Sequence, residues 1–132
     1  MNSHISFVKV RYAETDQMGV VHHGNYAQYL EIARIDWLSE LGISYKTMEE
    51  EGIMLPVFEM SFKFKKPAVF DDNLKIETRL KQPPNVKIEF EYLIYNEKGD
   101  LLTTASTVLV FMDAKSKRPV RCPQYIIDKL QA

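Results

Sequence analysis

The hydrophobic period changes along this chain, and that change limits its fold more than any other feature. Tyr26, Leu30, Ala33, Trp37 and Leu41 recur three and four residues apart, the spacing of one helical face, while Gln28, Glu31, Arg34 and Ser39 lie elsewhere. After residue 57 the period becomes two. Phe58, Met60, Phe62 and Phe64 alternate with Glu59, Ser61 and Lys63. Leu74, Ile76, Thr78 and Leu80 alternate with Lys75, Glu77 and Arg79, and Val86, Ile88, Phe90, Tyr92 and Ile94 with Lys87, Glu89 and Glu91. Residues 101–112 form a further strand candidate with apolar side chains on both faces, which hints at a second burial in an oligomer. His4 to Tyr12 reads as an opening strand. KQPPN and NEKGD supply turns, so consecutive antiparallel hairpins are expected.

A sheet with one apolar face needs a cover. The only long apolar helix here is the one beginning at Tyr26, so an α+β fold follows, with an antiparallel sheet curved around that helix. Asn25, with Gln28 three residues on, fits an N-cap and its capping-box partner, and Gly42 closes the helix. A shorter helix is expected over 44–51, and another near the end of the stretch from Cys122 to Ala132.

The chain has 132 residues, so one domain spanning 1–132 is the default. Its 17 Lys and Arg against 18 Asp and Glu leave no positive excess for non-specific nucleic-acid binding. Cys122 is the single cysteine, so no intrachain disulfide forms and a reducing, cytoplasmic setting fits. The opening MNSHISFVKV lacks the pattern of a signal peptide, and no apolar run suits membrane insertion.

Residues 13–31 read AETDQMGVVHHGNYAQYLE, with Asp16, Gly19, His22, His23 and Gly24 crowded ahead of the helix. An aspartate is ionised at neutral pH and can act as nucleophile or general base. A helix N-terminus offers unpaired N–H groups and partial positive charge that can stabilise an oxyanion. Together they make a minimal acyl-transfer site. Spacing alone favours a plainer role for Asp16, that of capping a turn. Adjacent histidines diverge and no third ligand lies near, so neither a metal nor another cofactor is expected. Glu31 and Arg34 are spaced as a surface ion pair, or Glu31 points inward toward Asp16. Cys122 reads as inert.

The stretch VRYAETDQMGVVHHGNYAQYLEIAR resembles the opening of the 4-hydroxybenzoyl-CoA thioesterase family of hotdog-fold proteins, and the branch associated with the bacterial Tol–Pal cluster in particular. Asp16, Gly19, Val20, Val21, His22, His23, Asn25 and Tyr26 match its pattern, and LPVFEMSFKFKKPAVFDDNLKIET is similar to its next segment. The resemblance implies a five-stranded antiparallel sheet around a long helix, dimerisation through sheet edges, often a dimer of dimers, and active sites at the dimer interface. It implies hydrolysis of an acyl-CoA or acyl-carrier-protein thioester to free acid and thiol.

By that resemblance Asp16 is the catalytic carboxylate and the His23 backbone N–H the carbonyl donor. Gly19, Val21, His22, Asn25 and Tyr26 bind substrate, completed by Leu55, Phe58 and Met60 of the partner subunit. The aryl-CoA enzyme carries basic residues in the turn after its third strand; here that turn is QPPN, flanked by Lys81 and Lys87. Lys65, Lys66, Lys87, Lys117 and Arg118 are the alternative candidates for the CoA phosphates. Two rival activities share these features: a hotdog dehydratase or hydratase, with His23 and Asp16 or Glu31 moving protons, and a hotdog dimer that binds a thioester or protein without turnover.

Overall fold

The structure is a computed structural model and describes residues 3–131. Met1, Asn2 and Ala132, which bound the N-terminal and terminal-helix readings, lie outside the described residues. Strand β1 (Ser3–Lys9) leads through two short 3-10 turns into helix α1 (Tyr26–Glu40) and then α2 (Tyr45–Glu50), which Ser44 caps through the Thr47 N–H. Strands β2 (Ile53–Met54), β3 (Val57–Phe64), β4 (Asn73–Leu80), β5 (Lys87–Tyr95), β6 (Leu101–Val110) and β7 (Met112–Asp113) follow, and α3 (Gln124–Gln131) ends the fold.

Five strands form one antiparallel sheet in the order β1-β4-β5-β6-β3, while β2 and β7 pair separately. The alternation of β4 and β5 puts Leu74, Ile76, Leu80, Ile88, Phe90 and Ile94 on the face that packs against α1. Tyr29, Leu30, Ala33 and Trp37 are the helix's side of that core, with Trp37 edge-on to Phe90 at 5.0 Å between ring centroids. Burying each large side chain there contributes about 1.5–3 kcal/mol, so packing rather than helix propensity holds α1 in place.

Three expectations need correction. The β4–β5 and β5–β6 hairpins form, but β3 is no hairpin partner of β4: it lies at the far edge, paired with β6. The apolar strand β6 is therefore internal to the sheet, between β5 and β3. Second, Asn25 places no side-chain cap on α1; its amide donates instead to the Glu14 carbonyl at 2.8 Å. Third, Arg34 is buried rather than paired with Glu31 on the surface, and its Nη1 donates to the Tyr92 hydroxyl at 3.3 Å. Arg34 is four residues after Leu30 and three before Trp37, on the flank of the apolar stripe, so burial of that stripe carries it inside.

The β3–β4 connection positions the candidate site. Leaving the β3 edge, it must cross to the β1 side of the sheet, and it runs past the N-terminal end of α1. On the way the Val21 N–H donates to the Ala68 carbonyl at 2.9 Å, Val20 bridges Val69, and Val10 exchanges hydrogen bonds with Asp71 and Asp72. The loop before α1 is thereby sewn to residues 65–72.

Candidate active site

The loop from Arg11 to Asn25 turns sharply at Asp16. Its Oδ1 accepts from the Met18 N–H at 2.8 Å and, at 3.4 Å, from the Val20 N–H, while Oδ2 accepts from none of the described residues. The Gly19 N–H donates back to the Asp16 carbonyl at 3.0 Å, and Gly19 has φ of +80°, where a side chain would be strained. Asp16 thus caps its own turn, as the plainer sequence reading held, and still presents one free oxygen to solvent. The two roles use different oxygens.

Immediately before α1 the chain makes a 3-10 turn, His23–Asn25. His22 Nδ1 accepts from the Gly24 N–H at 3.0 Å, and the Asn25 N–H goes to the His22 carbonyl at 2.9 Å. A Cβ at Gly24 would approach that imidazole to 3.1 Å, so glycine allows the ring to close the turn. The His23 N–H has no acceptor among the described residues. It lies in the turn that leads into the N-terminus of α1, the positive end of that helix. The two imidazoles do not diverge as expected of neighbours: the 3-10 turn stacks them at 4.3 Å between centroids, and both are exposed.

Asp16, Val20, Val21, His23 and Tyr26 line one cleft with Phe64, Lys65, Lys66 and Pro67 from the crossing connection. Tyr26 forms its floor, buried between Tyr29, Phe62 and Phe64. Burial pushes its phenol up, so it stays neutral. A second, more enclosed cavity of about 290 Å³ lies further along α1, between that helix and the sheet. Arg34, Ile35, Leu55, Val57, Ile88 and Phe90 are among its walls. Glu31 faces this groove and not the Asp16 cleft.

The candidates are therefore divided. The structure brings Asp16, Val21, His23, Tyr26, Lys65 and Lys66 together, with Gly19, His22 and Asn25 shaping the loop. Leu55 belongs to the second cavity. Phe58 and Met60 line neither: a bulge between Val57 and Glu59 throws Phe58 out of alternation, where Lys87 Nζ sits 5.1 Å over its ring, and Val57 faces the groove instead. Lys117 lies beside Met54, its Nζ 3.7 Å from the sulfur, and Arg118 follows it, away from the Asp16 cleft of the same chain. Among the described residues no cluster of His, Cys, Asp and Glu is arranged to hold a metal ion, and no helix is long and apolar enough to cross a membrane.

Sequence reasoning passed over Glu14, which is only 6% exposed. Its carboxylate accepts from the Arg11 N–H (2.9 Å), Arg11 Nε and Nη2 (2.8 Å each) and the Tyr29 hydroxyl (2.8 Å). Burial opposes its charge, but the Arg11 backbone, the Tyr29 hydroxyl and the Arg11 guanidinium outweigh that and hold its carboxyl below the usual carboxylate range. The stabilisation is complete above that range and is lost only as pH falls through the depressed value. The one available signal was Arg11 three residues before an acid, which looks like an ordinary surface pair.

Cys122 is buried, and burial pushes its thiol up to about 12. It should be silent toward a thiol reagent at pH 8 in the folded protein and titrate as one thiol in denaturant. Rapid native reaction would contradict that burial.

Comparison with known proteins settles the family. The profile described as Thioesterase-like superfamily matches residues 10–130. The chain belongs to the thioesterase-like superfamily. It is 30% identical over 120 residues to the acyl-CoA thioester hydrolase YbgC of Escherichia coli, covering 91% of this chain and 90% of that one. A DHNA-CoA thioesterase structure from Staphylococcus aureus superposes with a TM-score of 0.92 at 39% identity, covering 99% of this chain and 88% of the other. A 1,4-dihydroxy-2-naphthoyl-CoA thioesterase from Synechocystis gives 0.89 at 26% identity, with 99% of each chain covered. The α+β architecture is the hotdog fold of these thioesterases, a five-stranded antiparallel sheet around one long helix.

Proposed function

We infer that this chain is an acyl-CoA thioesterase that hydrolyses its substrate to free acid and CoA with Asp16 as the catalytic carboxylate. One juxtaposition carries the reading: Asp16, whose carboxylate keeps a free oxygen, and His23, whose backbone N–H has no acceptor among the described residues, line the same cleft. The thioester carbonyl oxygen accepts from the His23 N–H. Asp16 Oδ2 then attacks the carbonyl carbon, giving an anhydride that water cleaves, or takes a proton from the water that attacks it. In both routes negative charge develops at the oxygen facing the helix end, and the CoA thiolate leaves. Lys65 and Lys66, on the cleft wall, meet the CoA phosphates.

The site is completed by a second copy. Strand β3 is an edge exposed on both faces, with Val57 43%, Phe58 65% and Phe64 51% exposed, and an apolar edge of this length needs covering. Antiparallel pairing of β3 with its own copy about a two-fold axis near Met60 and Ser61 opposes Phe64 to the partner subunit's Val57. The Asp16 cleft ends at Phe64–Pro67, and the apolar groove opens at Leu55–Val57. The acyl group thus passes from the cleft into the partner's groove, and the basic cluster of Lys87, Lys117 and Arg118 arrives from the same end of the partner. A dimer is the minimal active unit, and a dimer of dimers is compatible with it. A lone, buried Cys122 fits a cytoplasmic enzyme.

The test is release of free thiol from a panel of acyl-CoAs, aryl and alkyl, monitored with a thiol reagent. Binding without thiol release across the panel would replace hydrolysis with a binding role; hydration of an enoyl-CoA without release would favour the hydratase.

The histidines give a separate expectation. A strong chelator should leave turnover intact. His23→Ala should keep much of the rate, because its contribution is the backbone N–H. A loss as deep as that of an Asp16 variant, in a folded oligomer, would assign proton transfer to the imidazole.

A further inference from the structure

We propose that Glu14 is a positioning residue for hydrolysis, an internal anchor that fixes the Asp16 carboxylate and the His23 N–H relative to each other. The proposal rests on the assignment of the chemistry to those two groups. Neither is held by the core: Asp16 and His23 are both exposed, on opposite limbs of one loop. Glu14 is the buried point from which both limbs are tied. Its side chain binds the loop's origin at Arg11 and the inner face of α1 at Tyr29. Its own carbonyl accepts from the His22 N–H at 2.9 Å and from Asn25 Nδ2 at 2.8 Å, the residues on either side of His23 and Gly24. Asp16 follows two residues later. Residue 14 therefore links the Asp16 limb, the His23 limb and the helix: it accepts five hydrogen bonds and an ion-pair contact, and its own N–H donates to the Arg11 carbonyl.

The carboxylate takes no part in the chemistry itself. It is buried behind the loop, all its partners are within the protein, and it lines neither cleft nor groove. A purely stabilising acid would fit the same burial, so the distinction lies in where the loss appears. A displacement of about 1 Å in a reacting group costs ~10²-fold in rate, whereas a lost stabilising bond lowers the unfolding midpoint and leaves kcat of the folded enzyme alone.

Glu14→Gln separates the two. Its amide oxygen can keep the Arg11 N–H and the Tyr29 hydroxyl, while its NH2 group faces the Arg11 guanidinium donor to donor. Steady-state thiol release is measured with hexanoyl-CoA and 4-hydroxybenzoyl-CoA, well below the unfolding midpoint and with oligomeric state checked. We expect kcat to fall ~10- to 100-fold with KM within about twofold. Arg11→Gln should reproduce the loss, and the double variant should lose little more, since both act through one link. Should Glu14→Gln fail to fold, Tyr29→Phe removes one donor isosterically and should still lower kcat selectively. Wild-type kcat in folded Glu14→Gln, with only a lowered midpoint, overturns the proposal; where that variant does not fold, wild-type kcat in Tyr29→Phe does so. Asp16→Asn is run alongside. If it is dead while Glu14→Gln is fully active, positioning alone fails; if Asp16→Asn keeps full turnover, both assignments fail.

Discussion

Asp16→Asn should abolish hydrolysis while leaving the fold intact. The substitution keeps the shape and the acceptor at Oδ1, so the turn bonds from the Met18 and Val20 N–H groups survive. What it removes is the anionic oxygen facing the cleft. Loss of a general base alone costs ~10²–10⁴-fold, and loss of a nucleophile at least as much. Because the side chain is exposed and its replacement isosteric, the unfolding midpoint should stay close to that of the wild type. Thiol release by the purified variant at saturating acyl-CoA checks this, and near-native turnover in a folded, oligomeric protein would remove Asp16 from the mechanism.

Subunit complementation should show the second large effect. In the proposed dimer each site takes Asp16 from one chain and the groove from the other. Ile35 lines the groove and is 40% exposed, so Ile35→Trp should occlude the groove without straining the core. Alone it should lower kcat/KM at least ~10-fold, by blocking the acyl group. Co-assembled at random with Asp16→Asn, half the dimers are mixed, and each mixed dimer carries one site with both defects and one with neither. About a quarter of wild-type activity should therefore return. Mixed dimers confirmed by mass that stay inactive would mean each chain holds its own complete site, or that the chains pair through another surface.

Much of this protein was legible because local residue patterns report local burial. The 3.6-residue period ahead of Gly42 and the two-residue period after Val57 mark α1 and the main strands within a residue or two, since each element must turn an apolar face to the core. The turns after β4 and β5 were equally readable from their composition. Asp16, Gly19 and the histidine pair stood out by the family pattern they match together, since an aspartate and a glycine are each ordinary turn residues. Glu14 did not stand out. One charge among many in a polar loop says nothing of its surroundings, and Tyr29, the partner that draws it inward, lies a full helix turn beyond the loop.

By itself, then, the sequence determined the element types, their order, the α+β class with a sheet curved around one helix, and the loop that carries the candidate chemistry. These depend on contacts a few residues apart or on one face of one element. Tertiary structure decided the rest. It placed β3 at the edge beside β6 and the bulge that turns Phe58 away and Val57 inward. It buried Arg34 against Tyr92 and converted Asn25 from a helix cap into a tie to Glu14. It separated the Asp16 cleft, which reaches Phe64, from the apolar groove, which reaches Val57, at opposite ends of β3. Each of these turns on which distant segments become neighbours, and that choice is made by the packing of the whole sheet around α1, where no single residue's pattern records the outcome.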